Sequence, residues 1–480
     1  MAQPFPDPGT KPGEYALEWL VGRRRFTGDV TLAPRRRPQI ALRGTLRRHR
    51  RSANGTLVYG LPGPEIKLPR LVGLLRSNEE VVVIDVAVEE WLPERFLGFG
   101  QWAIVGLDIA GVPNDRYEHV TFQISDTDLW FGTQPLSKVT WPRSGDPTKT
   151  FSATLNRGAH HVWRDTRNGI TVDLGYPLTR SLDPYRFGLT FAPVFDIHSR
   201  QPLTLDDWRD QWLAPLIDLA SIATKRPQTL SWLNVQHGEG RSRRRGTVFT
   251  RGIHQSPYTA HYDEEWRRYP DQRPLFTLGR LCVTPMRLVR VWRSLQQSDD
   301  PFVELYRAAL FQPELPPRAR FLYLIQALEA RHSFANRDAD AKAQLAFVAR
   351  REQVIEAAAR AGLAGDDLRF LKGEWSKQRR DSLERRLLAL LNELPPPVRQ
   401  RTESDAQLDA IRSQLITADA NATTFQAQLR ALRNELSHGD RNYPDYELEP
   451  WVAAVETICQ AQVLALLGFR ASDIEEALRT

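Results

Sequence analysis

The chain changes character near residue 300, and whatever fold it adopts must satisfy both halves. Up to that point short alternating segments are punctuated by Gly, Pro and Asn, and eleven of the 13 tryptophans lie there. Beyond it Ala, Leu, Glu and Arg dominate. Strands need a period of two and helices a period of 3.6, so one core cannot serve both patterns. At 480 residues the chain is also too long for a single ordinary core. The expected fold class is α+β multidomain, with a β-rich N-terminal region over residues 1–300 and an all-α bundle over 301–480. The stretch Gln296-Gln297-Ser298-Asp299-Asp300-Pro301 reads as the junction.

Strand signals come from Asp29–Leu32, Gln39–Leu42, Glu80–Ala87, Trp102–Leu107, His119–Ile124, Thr150–Leu155 and Gly169–Leu174. Dense strands with such turns imply an antiparallel sandwich or barrel. One helix interrupts them. Thr204 caps it, Asp207 follows three residues on, and Trp208, Trp212, Leu216 and Leu219 form its apolar stripe. Gly238–Gly246 is expected to be a mobile loop.

In the second half, Pro316 and Pro317 precede a stripe of Phe321, Leu324, Ile325 and Leu328. Helices are expected near 341–361, 366–373 and 377–393, where Pro395-Pro396-Pro397 stops the chain. A helix from about Asn421 to Ser437 buries Phe425, Leu429, Leu432 and Leu436, at offsets that mark one face. Gly439 then supplies a stop. Pro450 opens a last apolar helix through Val452, Val455, Ile458 and Leu464.

The balance is basic, with 65 Lys and Arg against 58 Asp and Glu, a net charge of +7 and a pI near 9.4. Arginine supplies most of the cations, which suits a phosphate-bearing partner and equally reflects GC-rich coding. Cys282 and Cys459 lie far apart in apolar surroundings and read as buried thiols, not a disulfide framework or metal site. The N-terminus has no apolar signal region, and no run approaches the ~20 residues that span a bilayer. A soluble cytoplasmic protein without a membrane partner is the expectation.

The segment most suggestive of chemistry is Ala431-Leu432-Arg433-Asn434-Glu435-Leu436-Ser437-His438-Gly439. RNA hydrolysis without a metal needs a base for the 2′-hydroxyl proton, an acid for the leaving oxygen and a cation for the crowded charge on phosphorus. Histidine suits the first two roles and arginine the third, and Asn434 suits orienting the imidazole or bonding the phosphate. Arg433 and His438 are five apart, about 140° around an ideal helix. They converge only if the helix unwinds at Ser437-His438-Gly439 or if a second copy supplies the partner. The same residues also fit an ordinary helix end, with Arg433 a solvated cation and His438 a favourable charge on the dipole.

Other constellations are weaker. His160-His161 before Trp163 lacks a third ligand spaced for a metal. Arg23-Arg24-Arg25, Arg35-Arg36-Arg37 and Arg47-Arg48-His49-Arg50-Arg51 suit a phosphate-binding face or charged guards on strand edges. The tryptophans suit core packing more than a carbohydrate groove. No Walker loop, dinucleotide glycine fingerprint, nucleophile elbow or CxxC pair occurs.

Arg433-Asn434-Glu435-Leu436-Ser437-His438, closing one bundle helix and followed by another, resembles the HEPN ribonuclease motif. The helix Ala319–His332 is similar to the opening helix of the ApeA-like HEPN group, and the order of the two regions resembles ApeA-type anti-phage defence proteins. The resemblance implies a HEPN-like bundle and a metal-independent endoribonuclease without a cofactor. It implies a homodimer joined through the helical domain, with catalytic Arg433, Asn434 and His438 in one cleft. Arg433 would stabilise phosphate charge and His438 act as general acid and base. It also implies abortive infection by cleavage of RNA, tRNA or mRNA, after a phage-derived trigger. Glu329 and His332 are expected near the site without an assigned role. The competing class is a non-catalytic binding protein, whose β-rich region recognises a phage component or nucleic acid while its bundle dimerises.

Overall fold

The computed structural model describes residues 11–21, 23–43, 50–51, 57–58, 67–92, 95–140, 152–156, 158–183, 186–238, 243–253, 273–278, 283–312, 314–374, 382–439 and 441–479. Within them the chain forms two compact units, divided between Arg290 and Val291. The first is rich in strands and the second is helical, as the two sequence patterns require.

The strand-rich unit begins with β1 (Gly13–Val21), β2 (Arg24–Leu32), β3 (Gln39–Arg43), β4 (Arg50–Arg51), β5 (Leu57–Val58), β6 (Lys67–Leu75), β7 (Glu80–Leu92) and β8 (Arg95–Phe99). Then follow β9 (Trp102–Leu107), β10 (Tyr117–Ile124), β11 (Leu136–Thr140), β12 (Ser152–Leu155), β13 (His161–Asp165) and β14 (Ile170–Gly175). The last are β15 (Leu178–Asp183), β16 (Arg186–Phe191), β17 (Val194–Leu203), β18 (Leu230–His237) and β19 (Arg244–Phe249). Antiparallel pairing runs β7–β6–β1–β2–β3–β8 and returns to β7, closing a barrel. β7 makes the closure possible because it is long. Its first half, Glu80–Ile84, pairs with β9, and its second half, from Ala87, pairs with β8. Between them Asp85 takes a positive φ of 53°. Beyond β9 an open sheet continues through β19, β18, β10, β17 and β14 to β13.

Alternation builds the barrel core. In β1, Leu17 and Trp19 point inward to join Val30, Leu32, Ile40, Leu42, Leu71, Val81 and Val83. Trp19 is fully buried, and its indole donates to the Ala41 carbonyl at 3.3 Å. It fits because its neighbours on both sides are bare. A Cβ on Gly28 would lie 2.9 Å from Trp19 Cδ1, and one on Gly73 would lie 3.0 Å from Trp19 Cε3.

The interrupting helix is present, with a refinement. Thr204 accepts from the Asp207 amide at 3.1 Å while Asp207 accepts from the Thr204 amide at 3.2 Å. Trp208, Trp212, Leu216 and Leu219 are all buried. The helix is not regular, however: Arg209–Leu213 forms a wider π turn between Leu205–Trp208 and Ala214–Thr224. A second correction concerns Gly238–Gly246. Arg244, Arg245 and Gly246 are residues of β19, paired to β18 and, from Arg245 on, to Leu107 and Gly106 of β9, so the end of this stretch is strand and not loop. Residues 239–242 of that stretch lie outside the described ones, as do Arg47, Arg48, His49 and Cys282.

In the helical unit the helix Pro317–Ala335 is central. Phe321, Leu324, Ile325 and Leu328 are each at most 1% exposed, and the helix packs against Pro301–Phe311, Leu383–Asn392, Phe425–His438 and Asp445–Leu466. Arg320 ties it to Glu456 of the last of these at 3.1 Å. Cys459 is fully buried beside it, and burial pushes its thiol pKa well up. The residues 296–301 form a helix-to-helix turn in which Asp300 caps the Phe302 amide at 3.0 Å.

Three helix bounds differ from expectation. The triple proline does not only stop a helix: Pro396 sits in the first turn of Pro396–Glu403, where a missing N–H costs nothing. Asp445–Leu466 starts before Pro450, which lies inside it. The helix expected from Asn421 starts at Phe425, because Thr424 caps it by accepting from the Ala427 amide at 3.4 Å.

Candidate functional site

The helix Phe425–His438 is amphipathic, and its buried edge is the expected one. Leu429, Leu432 and Leu436 are at most 1% exposed, and Phe425 stacks on Trp451 with ring centroids 5.8 Å apart. Burying that edge turns Arg433 half outward and leaves Asn434 and His438 exposed. The helix ends at Gly439, whose φ of 75° lies in the left-handed region that favours glycine, and whose amide donates to the Glu435 carbonyl at 3.0 Å. The Arg318 guanidinium, from the central helix, donates to the Leu436 carbonyl and satisfies another terminal oxygen.

The helix does not unwind before Gly439. Ser437 and His438 are helical, so unwinding does not bring Arg433 and His438 together in this chain. The glycine acts only after both residues have been placed, and the ideal separation of about 140° stands. What the helix does bring together is Asn434 with each of the others. Arg433 Nη1 donates to Asn434 Oδ1 at 3.4 Å, a long bond, and Asn434 precedes His438 by four residues on one stripe. Among the described residues His438 has no hydrogen bond or ion-pair partner.

Arg433 has a counter-ion that sequence reasoning did not pair with it. Glu329 of the central helix lies 3.5 Å from Arg433 Nε. The pair joins the two helices on which the family resemblance was read, and at about one-third exposure it contributes under about 1 kcal/mol. His332, one turn further on, gives its carbonyl to the Asn336 amide at 3.1 Å. Beyond the helix end, Tyr443 donates to Glu435, and burial with that bond pushes the phenol up to about 12.

The alternative constellations resolve into structure. His160 Nε2 faces Asp173 Oδ1 at 2.6 Å, while His161 stacks on Trp163 with centroids 5.4 Å apart. Among the described residues no group of three or more His, Cys, Asp or Glu is placed to hold a metal. Trp19, Trp130, Trp208 and Trp451 are fully buried, as core packing requires. Arg25 pairs with Glu18 at 3.2 Å on the open face of the first hairpin.

One polar cluster was missed. On the open sheet, His119 of β10 lies between Asp196 of β17, which faces its Nε2, and Gln236 of β18, whose Oε1 is 3.0 Å from its Nδ1. Arg243 donates to the same Gln236 oxygen. The signal was in the sequence as alternating polar positions, His119, Thr121 and Gln123, in a strand flanked by others. No helix among the described residues is long and apolar enough to cross a membrane.

A family model described as ApeA N-terminal domain 1 matches residues 19–281, more than half the chain. No curated protein and no solved structure matches.

Proposed function

Because the chain belongs to the ApeA family through residues 19–281, and so to the setting of anti-phage defence, we propose that it is a metal-independent endoribonuclease whose site is the end of the helix Phe425–His438. The observation that carries this reading is the exposed His438 without a protein partner among the described residues, on the same two turns as Asn434 and the half-exposed Arg433.

The chemistry follows from the groups. An imidazole takes the proton of a ribose 2′-hydroxyl, and that oxygen attacks the adjacent phosphorus. The bond to the 5′-oxygen breaks, an acid returns a proton to it, and a cyclic phosphate and a free 5′-hydroxyl remain. Charge gathers on the phosphoryl oxygens meanwhile, and a guanidinium is suited to meet it in two-pronged fashion. Since one helix holds Arg433 and His438 on different faces, a homodimer in which two copies of this helix end meet supplies the full set.

The test is cleavage of tRNA and mRNA by the purified chain and its His438→Ala variant, in the presence of a chelator. Cleavage by the first and its loss in the second is the expected result; equal cleavage by both removes His438 from the mechanism. Sedimentation of the same preparation is expected to show a two-chain species.

One observation favours a second reading, that of a binding protein: Arg433 already carries the Glu329 counter-ion. Phage-protection assays separate the two. Full protection by the Arg433→Ala and His438→Ala variants, together with its loss on charge reversal at Arg47 and Arg48, selects binding.

A further inference from the structure

The strand-rich unit contains a cavity of about 700 Å³, in the range of small-molecule sites. It opens where the barrel gives way to the open sheet and the helix around Arg209–Leu213 crosses. We propose that this cavity binds a small amphiphilic anion, a molecule with an apolar body and a single anionic head.

The apolar body is argued from the floor. Trp102, Leu213, Leu230, Leu233 and Ile253 line it, none more than 4% exposed. Such a surface gains by exchanging water for an apolar guest. The anionic head is argued from the rim. Its charged residues are Arg37, Arg209, Arg251 and Asp85. Arg209 is committed: it lies 2.8 Å from Asp206 and 2.7 Å from Asp210, with its guanidinium 6.0 Å from the Trp102 ring centre. Arg37 and Arg251 are exposed and have no ion-pair partner among the described residues. Among the described residues the rim thus carries two guanidinium groups without an ion-pair partner beside one carboxylate, Asp85, while Arg209 is matched by Asp206 and Asp210.

Two features show that the rim is built and not incidental. The turn carrying Arg37 and the turn carrying Arg251 are clasped, since the Arg35 amide donates to the Ile253 carbonyl at 3.0 Å and the Gly100 amide to the Pro38 carbonyl at 2.9 Å. Thr250 donates to the Gln101 carbonyl at 2.9 Å, fixing the second turn to the barrel edge. A rim held in advance spares the guest the cost of ordering it. Independently, the π turn falls on the cavity wall and contributes both Arg209 and Leu213. Such turns recur at functional sites because the extra residue re-aims side chains at some cost to the helix. The arginine triplet 35–37, read from sequence as a charge cluster, thereby gains a specific role for its last member.

The test uses the full chain and two dyes of one shape. Anilinonaphthalene sulfonate has an apolar body and an anionic head; phenylnaphthylamine has the body alone. The sulfonate is expected to bind saturably, one per chain by calorimetry, and about tenfold more tightly than the neutral dye. The double variant Arg37→Glu/Arg251→Glu is expected to remove that difference while keeping neutral-dye binding. Gly252→Trp is expected to abolish binding of both, since a Cβ there meets nothing within 4 Å and the indole would fill the mouth without disturbing packing. Thermal unfolding confirms that each variant is folded, and should the double variant fail to fold, Gly252→Trp alone decides. Absence of a saturable site, or binding unchanged by Gly252→Trp, overturns the proposal. Equal affinity for both dyes in the unaltered chain overturns its anionic part.

Discussion

Two histidines in this molecule are held in opposite ways. His119, on the open sheet, has an oxygen against each ring nitrogen, from Asp196 and from Gln236, and the latter is itself held by Arg243. His438, at the end of its helix, has no partner among the described residues and faces solvent. A side chain enclosed by partners stabilises a fold, because each lost bond leaves a buried polar group unsatisfied. A side chain that must accept and return protons needs room for the substrate. The difference teaches that polarity alone does not mark a site; what matters is whether the polar atoms are already satisfied.

The sharpest way to break this comparison is to remove each ring. His438→Ala is expected to reduce RNA cleavage by about 10²- to 10⁴-fold, the usual contribution of a general acid or base, and to leave the melting temperature unchanged. Arg433→Ala is expected to fall in the same range. His119→Ala should do the reverse. It removes the bonds to Asp196 and Gln236, so a loss of about 1 kcal/mol in denaturant unfolding is expected with cleavage per folded molecule preserved. If His119→Ala abolished cleavage in a folded protein, the division between a structural and a chemical histidine would collapse.

Tyr443 sharpens the picture of the motif helix, whose last turn it ties down through Glu435. Tyr443→Phe removes the bond to Glu435, and a cost of about 1 kcal/mol is expected in denaturant unfolding. Because the folded phenol titrates near 12 and the ordinary value is 10.0, the folded state holds that proton more tightly. Its contribution to stability is therefore complete below pH 10.0 and lost as pH rises through about 12. The unaltered protein should show this loss in alkaline unfolding, and Tyr443→Phe should show less of it.

Much of this was legible in the sequence, and the exceptions have physical causes. Asp29–Leu32, Gln39–Leu42 and Trp102–Leu107 declare themselves as strands because alternation is local. Closure of the barrel does not, because it depends on β3 pairing with β8, two segments far apart in the chain, while β7 divides its length between β9 and β8. The end of Gly238–Gly246 misled because Arg244, Arg245 and Gly246 look like loop residues, although β18 and β9 flank them in the sheet. Pro395-Pro396-Pro397 misled because proline ends one helix and begins another by the same missing N–H. At the helix end, Arg433, Asn434 and His438 were legible as residue types in a spacing, and their unequal exposure followed from the buried edge of leucines. Their relation to Glu329 was not, since nothing local says which face of Pro317–Ala335 meets which face of Phe425–His438.

That pairing allows the smallest and most discriminating measurement. Glu329→Gln keeps the shape and removes the charge beside Arg433 Nε, 3.5 Å away in the protein. If the carboxylate only steadies the helix pair, stability should fall by less than about 1 kcal/mol, as for other half-exposed pairs, and cleavage should be unaltered. If Arg433 meets phosphate, the neutral residue frees a cation that must otherwise be drawn from its counter-ion. RNA binding should then tighten a few-fold, about what a partly exposed charge supplies, with the effect fading as salt rises because screened charges matter less. We expect the second outcome. Tightening that persists at high salt would mean that the change acts through packing and not through charge, and Arg433 would then stand as an ordinary helix cation.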